Sequence, residues 1–277
     1  MPRVRLERIG LHFEQEGVGT DLILIHGLGD DLHVWDAEVP VFAPFHRVLR
    51  LDLRGFGASD KPPGPYSLAR FVQDVSAVCA ACGVQRAHVL GISMGGVIAQ
   101  RVALDIPELV RSLVLVSTSS EVGAKSIAVW QRLADQIERD GFSARSADAS
   151  RAFSPTFARA HPEIVAEVGR RTAANDPQGY AAAARAVSDY NWTAELWRIR
   201  VPVLILQGLD DQLTPPGGSV KMSRNLSHAR LLMVENAGHN LPIEQPALFR
   251  ASVLAFTAGV DFGAVTAATQ SPEPVIR

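Results

Sequence analysis

The sequence predicts an α/β fold: a mostly parallel central sheet with helices on both faces and an inserted helical cap. Three observations lead there. Short runs rich in Val, Leu and Ile alternate with longer stretches of helical periodicity, which is the order a parallel sheet with crossover helices produces. The runs are apolar at successive positions, as strands covered on both faces must be. The alternation stops between Ser119 and Arg200, where the pattern is helical throughout. A chain of 277 residues with 47% hydrophobic and 20% charged residues has the apolar material for one such core and an insertion.

The elements follow in order. Val4 to Ile9 and Leu11 to Glu14 alternate in polarity and predict an opening hairpin around Gly10. Leu22-Ile23-Leu24-Ile25 is a buried strand ending at His26-Gly27, followed by a short helix from Asp31 to Val39 and a strand from His46 to Asp52. That strand enters the turn Arg54-Gly55-Phe56-Gly57. Ser67 is suited to cap a helix that runs to Gly83, a residue suited to a helix C-terminus. Ala87 to Ile92 is a strand and Met94 to Leu104 a helix; Val110 to Val116, Val201 to Leu206 and Leu231 to Val234 are further strands. In the inserted segment Ile127, Trp130, Leu133, Ala134 and Ile137 recur at helix spacing, and Asp176-Pro177 reads as an N-cap followed by proline at the first helical position. The expected organisation is a core of residues 1–118 and 201–259, a cap of 119–200, and a poorly ordered tail of 260–277.

Composition removes several function classes. A net charge of -2 lacks the basic footprint that a phosphate backbone requires, so the expected partner is a small molecule and not nucleic acid. No run approaches the ~18 apolar residues that span a bilayer, and the first residues lack the apolar stretch of a secretory signal. The reading is a cytoplasmic protein with no membrane partner. Cys79 and Cys82 form a CxxC, but they continue the helical spacing of Val72 and Val75, and no second Cys/His pair completes a metal site. Neither metal nor cofactor is expected, and oligomeric state leaves no sequence signal.

The chemistry centres on Gly91-Ile92-Ser93-Met94-Gly95, between a strand and a helix. A sharp strand-to-helix turn holds its central residue at positive φ and leaves room only for glycine two positions either side. Ser93 is therefore the candidate nucleophile. A serine hydroxyl needs a general base, and the base needs an orienting acid. In a parallel sheet such groups gather beyond the C-terminal strand ends. His239, in Asn236-Ala237-Gly238-His239 after the last strand, meets that condition; His228 precedes the strand, and His12, His33, His46, His88 and His161 read as solvated or structural. Asp210 and Asp211, after the strand Val201 to Leu206, are the candidate acids. An oxyanion would be met by the N–H of Met94 at the helix start and by that of Leu28 in His26-Gly27-Leu28-Gly29.

Taken together, His26-Gly27-Leu28-Gly29, Asp52-Leu53-Arg54-Gly55-Phe56-Gly57, Gly91 to Gly96, Gly208 to Pro215 and Gly238-His239 resemble the α/β-hydrolase superfamily, over about Leu6 to Phe256. The resemblance implies the α/β-hydrolase fold and a catalytic triad of Ser93, Asp211 and His239. Asp211 is preferred to Asp210 because the family acid stands three after the glycine and four before the proline. Phe153 to Phe157, His161-Pro162-Glu163, Asp176 to Ala181 and Glu244-Gln245-Pro246 look like the 3-oxoadipate enol-lactonase and carboxylesterase branch, although Ala182 to Ala184 replace its cysteines.

The expected activity is cleavage of a small carboxylic ester or lactone through an acyl-enzyme. One alternative is a C–C bond hydrolase acting on a vinylogous diketone, a group that usually has Asn before the serine and Trp after the histidine, where this chain has Ile92 and Asn240. Another is a non-enzymatic ligand receptor of the same fold. Trp130, Phe153, Phe157 and Trp192 are candidates to line the substrate pocket, with packing of the cap as their competing role. Arg132, Arg139, Arg145 and Arg151 are available to a carboxylate substrate, and none is assigned.

Overall fold

The computed structural model describes residues 2–7, 9–143 and 148–269. Eight strands form one sheet: β1 (Arg3–Leu6), β2 (Ile9–Glu16), β3 (Thr20–Ile25), β4 (His46–Leu51), β5 (Ala87–Ile92), β6 (Val110–Val116), β7 (Val203–Gly208) and β8 (Ala229–Val234). Their spatial order is β1-β2-β4-β3-β5-β6-β7-β8, with β1 and β2 antiparallel and β3 to β8 parallel. The helices are α1 (Val39–Phe42), α2 (Leu68–Ala81), α3 (Met94–Asp105), α4 (Ala124–Asp140), α5 (Pro155–Ala160), α6 (Pro162–Ala173), α7 (Pro177–Ala186), α8 (Gly217–Asn225), α9 (Leu241–Glu244) and α10 (Pro246–Thr269).

Successive strand residues feed opposite faces of the sheet. Ile23, Ile25 and Val89 pack with Val75 and Cys79 of α2 and Ile98 and Val102 of α3. Leu22, Leu24 and Leu90 pack instead with Trp35, Phe42 of α1, and Phe249 and Val253 of α10. This is the two-sided burial that continuous apolar strands require. Cys79 sits in the first of these clusters as a free thiol that burial pushes up to about 12, in keeping with a packing role. Helices α4 to α7 lie between β6 and β7 in the chain, where the strand alternation breaks off. The predicted caps form: Ser67 accepts from Arg70 N, and Asp176 from Gly179 N at 2.7 Å.

Three expectations are corrected. The first hairpin turns between Leu6 and Ile9, which pair, with Glu7 at φ 55; Gly10 lies inside β2, where its N–H reaches Asp60 Oδ2 at 2.7 Å. The helix expected from Asp31 to Val39 is a 3₁₀ turn at Leu32–Trp35 followed by α1, because the ring of Pro40 is tolerated in a first helical turn and not in a helix interior. His12, His46 and His88 are buried, so of the two readings left open for them the structural one holds. Residues 260–269, expected as tail, continue α10; residues 270–277 lie outside the described residues. Among the described residues no helix is long and apolar enough to cross a membrane.

Candidate active site

Strand β5 delivers Ser93 at φ 53, ψ -119, and α3 begins at the next residue. The glycines around it are dictated by space. A Cβ on Gly91 would stand 2.2 Å from the carbonyl oxygen of Gly95, and one on Gly95 would stand 2.2 Å from that of Ile25. Ser93 N–H donates to Val116 O at 2.9 Å, and Thr118 Oγ1 donates to Ser93 O at 2.9 Å, so both peptide groups of the turn are tied to β6 and its exit. The serine itself is half-buried. Gly27 runs directly past it, since a Cβ there would lie 3.5 Å from Ser93 Cβ.

The two expected oxyanion donors are unspent: among the described residues neither Met94 N–H nor Leu28 N–H has an acceptor. His26 sets the orientation of the second. Leu53 N–H donates to His26 Nε2 at 3.0 Å, so the ring proton sits on Nδ1 and is donated to Gly27 O at 2.7 Å. A trans peptide points its N–H opposite to its C=O, so fixing the Gly27 carbonyl fixes the direction of Leu28 N–H.

Asp211 and His239 are brought together by the loops after β7 and β8. His239 Nδ1 lies 2.9 Å from Asp211 Oδ2, with both side chains buried. A carboxylate only accepts, so Nδ1 carries the proton and Nε2 is left with its lone pair, as a general base requires. Leu213 N and Thr214 N each donate to Asp211 Oδ1 at 2.9 Å, and Thr214 Oγ1 and Gln207 Nε2 stand at 2.7 and 3.2 Å from Oδ2. Burial alone would raise this carboxyl; the charge and hydrogen bond of His239, with the Thr214 bonds, outweigh it and hold Asp211 down to about 2. Asp210 is exposed. No hydrogen bond joins Ser93 to His239 among the described residues, so the geometry pairs Asp211 with His239 and leaves the serine hydroxyl without a partner there.

Glu244, which the sequence marks only as part of the Glu244-Gln245-Pro246 resemblance, is a contributor whose role the residue pattern did not give. Its buried carboxylate accepts from Gly238 N on one oxygen and from Ser154 N on the other, both at 2.8 Å. It thereby binds the loop of His239 to the cap, and Asn240 N adds a bond to Ala152 O at 2.9 Å. Phe153 is fully buried, stacked on half-buried Phe157 at 5.3 Å between ring centroids, with its backbone against Gly238. Trp130 is half-buried on α4. Trp192 is a packing residue: its Nε1 donates to Gln100 Oε1 at 3.1 Å and its ring stacks on Tyr190 at 4.5 Å.

Arg139 pairs with neighbouring Asp140 in solvent, and Arg145 lies outside the described residues. Arg171 reaches the core from the cap, 3.3 Å from Asp30, beside an Asn175 Nδ2 bond of 2.7 Å to Gly29 O. Burial raises the Asp30 carboxyl against the charges of Arg171, His26 and His239. Asp30 Oδ2 is 3.5 Å from the same Gly27 Cβ position that neighbours Ser93. The doubled acid Asp30-Asp31 after the glycines was its only sequence signal. Asp30 and Arg171 also line a cavity of about 360 Å³ with His12, Lys61 and Asp176, whose walls include neither Ser93 nor His239.

Comparison with known proteins agrees with this architecture. The sequence profile of the alpha/beta hydrolase fold matches residues 21–246. 3-oxoadipate enol-lactonase 2 of Acinetobacter baylyi is 31% identical, over 84% of this chain and 86% of that protein. A putative carbamate hydrolase of Azorhizobium caulinodans is 28% identical, over 91% and 96%. The crystal structure of the enol-lactonase from Burkholderia xenovorans superposes with a TM-score of 0.87 at 27% identity, covering 93% of this chain and 100% of that one. With a profile match over most of its length and the elbow, sheet order and strand-end loops described above, the chain belongs to the α/β hydrolase fold family.

Proposed function

We propose that the protein is a serine hydrolase that opens a small lactone or cleaves a small carboxylic ester through an acyl-enzyme, with Ser93, Asp211 and His239 as its triad. The observation that carries the reading is the buried His239–Asp211 hydrogen bond, formed by loops at the same end of the sheet as a serine at φ 53. His239 Nε2 takes the proton from Ser93 Oγ as the oxygen attacks the substrate carbonyl. The negative oxygen of the tetrahedral species is received by Met94 N–H and Leu28 N–H, donors of a kind worth about 3–4 kcal/mol each in the transition state. Collapse breaks the C–O bond, and His239 returns its proton to the departing oxygen. In a lactone that oxygen stays on the acyl chain. Water, deprotonated by His239, then releases the acid and restores Ser93.

Likeness in sequence to an enol-lactonase supports a lactone among the candidate substrates. A panel of a carboxylated enol-lactone, short p-nitrophenyl esters, a carbamate and a vinylogous diketone tests it, with Ser93→Ala as the blank. Turnover of the lactone or the esters, abolished in Ser93→Ala, is the expected result. Preference for the diketone or carbamate by orders of magnitude would replace the substrate class. No turnover of any of them, with ligand binding unaltered in Ser93→Ala, would overturn the enzyme reading in favour of a receptor.

A further inference from the structure

At the opposite end of the sheet from Ser93, three ligand-bearing side chains converge. His46 opens β4, His88 is the second residue of β5, and Asp261 comes from α10; one donor atom from each lies within 4.8 Å of the others. The two imidazoles are buried and their rings meet edge to face at 5.5 Å. Proposed catalysis uses none of the three.

The hydrogen bonds show which atoms are free to act. His46 Nδ1 faces Thr20 O at 3.3 Å, and a carbonyl only accepts, so the proton is on Nδ1 and the lone pair on Nε2. His46 Nε2 accepts from Thr257 Oγ1 at 2.9 Å, and that hydroxyl has a second acceptor in Leu254 O at 3.2 Å to which it can turn. His88 Nδ1 stands 2.7 Å from Ser112 Oγ, and its Nε2 3.2 Å from Asp261 Oδ1. Facing a carboxylate, Nε2 carries the His88 proton here; a serine hydroxyl both donates and accepts, so that proton can move to Nδ1 and open Nε2 without any net change of charge. Both Nε2 atoms thus face α10, while both Nδ1 atoms have an outer oxygen partner of the kind that orients metal-bound histidines.

We propose that His46 Nε2, His88 Nε2 and an Asp261 carboxylate oxygen form a site for a zinc-class divalent transition metal, with solvent in the fourth position. Two imidazoles and a carboxylate are a zinc-type donor set. Ligand bonds of 2.0–2.2 Å set tetrahedral edges of about 3.4 Å, which small side-chain rotations reach from the present spacing. Asp261 is partly exposed and gives the ion a route from solvent. Arg111 is the built-in competitor, with Nη1 3.4 Å from the same Asp261 oxygen and its side chain partly exposed, so it can swing outward. The bound ion would tie α10 to the starts of β4 and β5.

The test is titration of untagged, chelator-treated protein with Zn²⁺ by calorimetry and with Co²⁺ by visible d–d absorption. Expected are one equivalent bound, tetrahedral Co²⁺ intensity, and an X-ray absorption shell containing two imidazoles. His88→Gln should weaken binding on the order of 100-fold, and Ser112→Ala, which keeps every ligand, about 10-fold. Arg111→Gln should tighten binding several-fold, a gain that misfolding cannot mimic. Absence of stoichiometric uptake by the unaltered protein, an oxygen-only shell, or affinity unchanged in both Arg111→Gln and Ser112→Ala would overturn the site.

Discussion

Gly95→Ala separates a spatial account of the Ser93 turn from a conformational one. Gly95 is the second residue of α3, and glycine inside a helix is normally worse than alanine by roughly 0.5–1 kcal/mol, so propensity alone predicts stabilisation. Space predicts the reverse. The new methyl would stand 2.2 Å from Ile25 O and 2.7 Å from His26 O, both backbone atoms, against a carbon-to-oxygen contact of about 3.3 Å. The start of α3 and the exit of β3 must therefore separate by about 1.1 Å, and overpacking of this kind destabilises by about 1–3 kcal/mol. Ile25 and His26 lead into Gly27 and Leu28, so that separation opens the gap between Ser93 and the Leu28 donor. A misplacement near 1 Å lowers turnover about 100-fold. Gly259→Ala is the control: it lies in α10 with nothing within 4 Å of the added carbon, and should be neutral or stabilising by up to about 1 kcal/mol with turnover unchanged. Urea denaturation and kcat on a short p-nitrophenyl ester measure both. Gly95→Ala activity within threefold of the parent, at equal or higher stability, would refute the reasoning.

Asp211→Asn should lower kcat on the order of 10⁴-fold with little change in KM, because an amide no longer fixes the His239 tautomer. The same carboxylate, at about 2 against an ordinary 3.8, contributes about 2 kcal/mol that is fully present above pH 4 and disappears as pH falls through 2; acid unfolding of Asp211→Asn should lack that component. Glu244→Gln offers one acceptor where two backbone N–H groups need one each, so stability should drop by about 1–3 kcal/mol and kcat should fall with the displaced His239 loop; an unchanged kcat would remove Glu244 from the positioning of that loop. Cys79, pushed up to about 12 by burial, should resist a thiol reagent at pH 8 until the protein is unfolded, and mass mapping of the labelled thiol decides it.

Strands were legible wherever both faces are buried, because a short run such as Leu22 to Ile25 or Leu113 to Val116, apolar at consecutive positions and bounded by polar or turn residues, is what a parallel interior strand requires. Glycine was legible in kind and not always in cause. Gly91 and Gly95 are required by contacts of 2.2 Å across a turn, as their spacing implied, whereas Gly10 marks no turn and instead sits in β2 with Arg3 and Asp60 against it. A lone glycine beside alternating residues looks the same in either case, since the atoms against it come from Arg3 across the hairpin and from Asp60 fifty positions on.

The triad candidates were legible because strand ends order them: one histidine follows the last strand, and one aspartate pair follows the strand before it. Choosing between Asp210 and Asp211 by residue chemistry alone was out of reach, since both carboxylates stand in one turn. What divides them is that Asp211 turns inward to meet Leu213 N, Thr214 N and His239 while Asp210 stays in solvent. The cap resisted reading for a deeper reason. Its amphipathic helices bury residues against two things at once, the core beneath and one another, and a periodic pattern reports burial without saying against what. Trp192 and Phe153 illustrate it. Both are buried aromatics at cap positions, yet one closes on Gln100 and Tyr190 while the other backs onto the loop that holds His239. Of the two, only the second adjoins the proposed base, and it does so through its backbone while its ring stacks on Phe157.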